Sequence, residues 1–147
     1  MNKNKLTGLA GAVALGAGLA LSSPAGAQQL SENDMFNARM YAGNIASYLD
    51  GCQRQLNTPN LAEYDLSTVN AALPQIGIIS GVANQIRTNN QPLEVIFQEF
   101  PQTFDIDAVN TFFDSITYRG EVDIESCPRA ANSINQLYDI IKKSNSN

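Results

Sequence analysis

The chain has 147 residues, 44% of them hydrophobic and 16% charged, a composition that supports a folded core and excludes charge-driven disorder. It has no His and no Trp, which removes imidazole acid–base catalysis, Ser–His and Cys–His nucleophile pairs, and the commonest zinc ligand. A formal net charge of −5 disfavours nucleic-acid phosphates and anionic lipid headgroups as partners.

In chain order, Lys3 and Lys5 precede an apolar run from Leu6 to Leu21, then Ser22-Ser23-Pro24 and the small triplet Ala25-Gly26-Ala27. That order is the pattern of a cleaved secretory signal, with cleavage expected between Ala27 and Gln28. The run is too short and too rich in Gly for a permanent span, and no Cys stands nearby for a lipid anchor. Residues 1–27 are thus expected to be removed, leaving 28–147 as a single helical domain in an extracytoplasmic location, periplasmic or secreted. Loss of Lys3 and Lys5 makes that domain more acidic still, and no later segment is expected to anchor it in a membrane.

Ser31-Glu32-Asn33-Asp34 is an S-x-x-D capping pattern. Beyond it Met35, Ala38, Ala42, Ile45, Leu49, Cys52 and Leu56 recur at alternating spacings of 3 and 4, one apolar stripe on a helix over about 32–57. Tyr41 and Tyr48 flank the stripe and suit a core boundary better than a ligand ladder. After the turn cluster Asn57-Thr58-Pro59-Asn60, a second helical region begins near Ser67, with Pro74 marking a kink or a fresh helix start. Ile76, Ile79, Ala83 and Ile86 give its buried face, and Gly77, Ser80 and Gly81 are expected to serve close packing within the molecule.

Leu93, Ile96, Phe97 and Phe100 predict a short helix over 92–100, stopped by Pro101. Val109, Phe112, Phe113 and Ile116 predict another over about 107–119, stopped by Gly120. The alternating stretches Phe104–Asp107 and Glu121–Glu125 offer a short two-stranded ribbon. Ser126 is placed to cap a last helix carrying Ala131, Ile134, Leu137, Tyr138 and Ile141, and Ser144–Asn147 reads as a frayed tail.

Cys52 and Cys127 are the only cysteines, so one intramolecular pairing exists. A structural disulfide fits better than a redox pair, since no C-x-x-C accompanies either residue. The two cysteines would meet if the first and last helices pack antiparallel, so the bond predicts that topology. The fold class expected is all-α, a bundle of four to five helices with one disulfide.

Chemistry-bearing motifs are sparse. Asp105, Asp107, Glu121, Asp123 and Glu125 depart from calcium-loop spacing and suit solvated caps and turns; no metal or cofactor is implied. Paired carboxylates for glycoside hydrolysis would need a cleft lined with aromatics that this chain hardly supplies, and no nucleophile elbow, phosphate loop or dinucleotide fingerprint occurs.

The passage Leu93-Glu94-Val95-Ile96-Phe97-Gln98-Glu99-Phe100-Pro101-Gln102-Thr103-Phe104-Asp105-Ile106-Asp107 resembles the L-E-V-L-x-x-[FY]-P-x-x-x-[IV]-x-[IV]-[DN] passage of a helical module. That module occurs in secreted cyanobacterial proteins classed with the alpha/beta hydrolases. The resemblance implies a free-standing exported helical module; with no hydrolase domain, nucleophile motif or His, no catalytic residue carries over. In size, single disulfide and C-terminal amphipathic helix the chain is also similar to small periplasmic acid-stress chaperones. The function expected is non-catalytic binding of a protein or small ligand, with an acid-stress chaperone as the alternative.

Overall fold

The computed structural model describes residues 29–56, 62–118 and 125–146. The expected signal segment and its Ala27–Gln28 cleavage point lie outside these residues, as do Gly120, Glu121 and Asp123.

Helix α1 (Glu32–Leu56) begins at the expected cap: the Ser31 hydroxyl accepts the Asp34 amide at 3.0 Å, while Glu32 and Asp34 complement the dipole in the first turn. Ala38, Ala42, Ile45 and Cys52 of the stripe are buried, with Met35 and Leu49 at its margin. Helix α5 (Ser126–Asn145) lies antiparallel along α1, the largest contact between elements. The Cys52–Cys127 disulfide ties the end of α1 to the start of α5, and Lys143 Nζ meets Asp34 Oδ2 at 2.8 Å at the opposite ends. Gly51 allows the approach beside the disulfide, because a Cβ there would stand 2.7 Å from Ser126 Oγ. The disulfide accords with an oxidising, extracytoplasmic setting.

Helix α2 (Leu66–Thr88) runs unbroken through Pro74. Pro74 is on the exposed side, so the carbonyl deprived of its amide partner faces water. Ala72, Ile79, Val82, Ala83 and Ile86 of α2 are buried, and the helix packs on α1 and α4. By length and composition α2 is long and apolar enough to cross a membrane, contrary to the reading that no segment beyond the export signal is; only 17% of its apolar window is buried. Helix α3 (Leu93–Gln98) inserts Leu93, Ile96 and Phe97 against α5 and α2.

Helix α4 (Ile106–Ser115) is capped by Asp105, whose Oδ1 accepts the Ala108 amide at 3.1 Å. The Asp105 amide donates to Gln75 Oε1 at 2.9 Å, fixing the start of α4 on α2. The helix stops four residues before the expected end. Ile116 turns extended and buries its side chain, and β-branched Thr117 enters a strand. That strand, β2 (Thr117–Tyr118), pairs antiparallel with β1 (Ala62–Glu63), with Ala62 opposite Tyr118 and Glu63 opposite Thr117.

The ribbon expected from Phe104–Asp107 and Glu121–Glu125 is therefore corrected. Phe104 is buried against Phe100 and Tyr138, Asp105 is a cap, and Ile106 and Asp107 are helical. Local alternation gave way to the pull of Phe104 into the core. Two smaller corrections concern α5. Ser126 is its first helical residue rather than its cap, with Glu125 preceding it in helical geometry. The C-terminal tail is docked through Asn145: Ser144 is fully buried, and Asn145 Nδ2 donates to the Phe97 carbonyl at 2.8 Å.

The main core gathers residues from all five helices and from Leu30, Phe100 and Phe104. A smaller cluster of Ala72, Phe112 and Ile116 sits between α2 and α4.

Candidate interaction surface

Cys52 and Cys127 are brought together, both buried, with Cα atoms 4.6 Å apart. Both residues are enclosed by the core, which keeps the bond away from solvent thiols. Asp105 and Asp107 are exposed at the start of α4, one capping it and the other in its first turn. Glu125 pairs with Arg129 at 2.8 Å along α5. Among the described residues no group of three or more His, Cys, Asp or Glu side chains is arranged to hold a metal ion.

The two flanking tyrosines have separate settings. Tyr41 packs half-buried against the main core. Tyr48 lies beneath the Arg129 guanidinium, 5.7 Å from its ring centroid.

One pair of residues escaped the sequence. Asn110 of α4 and Asn135 of α5 exchange side-chain amides, at 3.1 Å from Asn110 Nδ2 and 2.7 Å from Asn135 Nδ2. Asn135 Nδ2 also donates to the Ala131 carbonyl at 2.8 Å. Each Asn directly follows a buried β-branched residue, Val109 or Ile134, which is the only trace in the sequence and a faint one.

What distinguishes the surface is apolar. Phe36 and Met40, one turn apart on α1, are 65% and 41% exposed. Leu66 and Leu73 on α2 are 70% and 54% exposed, and Tyr64 just before α2 is also exposed, its ring set edge-on to Phe112. Gly77 and Gly81, expected to serve intramolecular packing, are exposed instead, and a Cβ added at either would touch nothing within 4 Å. The close approach that packing would require is absent at both positions.

Asp34 joins the start of α1 to the end of α5 through its ion pair with Lys143. The hydrogen bond from Lys143 holds its carboxyl below the usual aspartate range; partial desolvation opposes this, and the charge of Lys143 and the Ser31 hydroxyl add to the lowering. Asp65, ahead of α2, is also lowered, chiefly by the Ser67 hydroxyl, with Thr68 adding to it.

The fold and surface together define a small disulfide-clasped helical bundle that leaves apolar side chains outside its core. No family model, curated protein or solved structure matches the chain.

Proposed function

We propose that the protein is an exported, non-catalytic binding module that takes a protein partner on the outer face of α1. The observation that carries this reading is the Phe36–Met40 pair, two large apolar side chains held a turn apart on a helix fixed at both ends to α5. Rigid presentation of an apolar anchor lowers the ordering cost of binding. The signal pattern of residues 1–27 and the disulfide support export to a periplasm or beyond the cell. The resemblance of residues 93–107 to a secreted helical module accords with the same reading, although Leu93, Ile96, Phe97, Phe100 and Phe104 are all core residues here.

A cross-linked pull-down with tagged protein from its extracytoplasmic fraction tests the proposal. One stoichiometric partner captured at neutral pH and lost with the F36S/M40S variant, at unchanged thermal stability, is the result expected. Equal capture by wild type and variant, or no enriched partner, overturns it.

Asp34 favours a second reading, an acid-activated chaperone. Protonating its carboxyl loosens the clasp to Lys143 half a turn from Phe36. Client protection confined to acid supports this reading, and equal protection at about pH 7 and about pH 3 removes it.

A further inference from the structure

The exposed side of α2 is unusual on an acidic protein. Between Leu66 and Thr88 there is no Asp or Glu, and Arg87 is the helix's only charged residue. Leu66, Asn70, Leu73, Gly77, Gly81, Asn84 and Thr88 are all exposed, and their spacings of 4, 3, 4, 4, 3 and 4 place them on one face at 3.6 residues per turn. Buried Ala72, Ile79, Val82, Ala83 and Ile86 occupy the opposite side. A solvated helix face ordinarily carries charge. This one shows two leucines and none.

The spacing reads the same in both directions about Gly77. In an antiparallel pairing of two α2 helices centred there, Leu73 of one copy falls opposite Gly81 of the other, and Asn70 opposite Asn84. Leu66 falls opposite Thr88. Each exposed leucine therefore meets a small or short side chain, and each Asn meets an amide partner. That is the self-complementarity a two-fold contact demands.

We infer that the outer face of α2 is the contact between two copies of this chain, paired antiparallel about Gly77. The uncharged strip is also where two net-negative molecules meet with least opposition from their own charge. A lipid bilayer fits the face less well, because α2's opposite side is committed to the core and the helix itself carries only Arg87 to hold headgroups. The 23 residues of α2 span about 34 Å, and with a contact about 10 Å wide the two copies together cover roughly 700 Å². That area is well below the roughly 1,200 Å² of a stable interface, so the association is expected to be weak and concentration-dependent.

Sedimentation velocity of the purified protein, with its disulfide oxidised, tests this from about 1 μM to about 500 μM. Wild type is expected to move from monomer to dimer across the range, whereas L73E stays monomeric with an unchanged melting curve. The L73E/G81K double variant restores the dimer, since the two charges face each other across copies only in the antiparallel register. If L73E alone fails to fold, the folded G81K single variant serves in its place and is expected to be monomeric. A wild type that remains monomeric throughout overturns the inference, as does an L73E variant that dimerises like wild type. A wild type that stays monomeric but co-floats with neutral phosphatidylcholine vesicles also overturns it, assigning the face to lipid.

Discussion

Replacing both cysteines, as C52A/C127A, removes the constraint that holds the end of α1 to the start of α5. The bond spans 75 residues of sequence, and in the chain-entropy model closing such a loop is worth about 4 kcal/mol. Both sulfur atoms are buried, so truncation to Ala adds a small void, costing up to about 1 kcal/mol more. At the far end of the same helix pair, Asp34–Lys143 is partly exposed and contributes at most about 1 kcal/mol, too little to compensate. The loss is comparable with the whole stability of a marginal domain, about 5 kcal/mol. Urea unfolding followed by far-ultraviolet circular dichroism is the assay. The variant is expected to unfold at much lower urea with a steeper slope, because its unfolded chain is less compact, and to melt about 15 °C lower. A loss below about 1 kcal/mol would refute the view that the disulfide supplies a large share of the fold's stability.

Two further outcomes follow from single side chains. Asp34 has a folded-state pKa below its unfolded value, so its stabilising effect is complete above the unfolded value and disappears as pH falls through the folded one. D34N should thus be less stable than wild type by up to about 1 kcal/mol at neutral pH, with the gap closing as pH falls below the usual aspartate range in acid-titrated urea melts. Ser144 Oγ is fully buried and has no hydrogen-bond partner, so S144A should be neutral or more stable by up to about 1 kcal/mol. A clear loss in S144A would show that the hydroxyl is bonded.

The sequence exposed the helices most clearly where one apolar stripe repeated over many turns. The 3 and 4 spacing from Met35 to Leu56 located α1 to within a residue, and the two cysteines then dictated its antiparallel partner. Short stretches misled. Phe104–Asp107 alternates like a strand, yet Phe104 gains more from packing on Phe100 and Tyr138 than from a ladder, and Asp105 serves better as a cap. Ser144 and Asn145 look like tail residues by composition, but their helix carries them onto α3, where the Phe97 carbonyl accepts Asn145 Nδ2 beside the Phe100 amide. The candidate surface was the least legible. Gly77 and Gly81 signal close approach in sequence, and only the burial pattern shows that this approach is not made inside the molecule. Phe36 and Met40 stand off the stripe already in the sequence, but only their exposure shows that no other element of the bundle covers them.

The central claim is that this bundle works through apolar side chains it leaves outside its core. The most direct test places a photo-activated cross-linking side chain at Phe36, at Leu73 and, as a control, at exposed Asp107, and exposes the producing cells to light. The account predicts a discrete adduct with another protein from position 36, a species of twice the chain's mass from position 73, and neither from position 107. Adduct yields at 36 and 73 no higher than at the control position would contradict it.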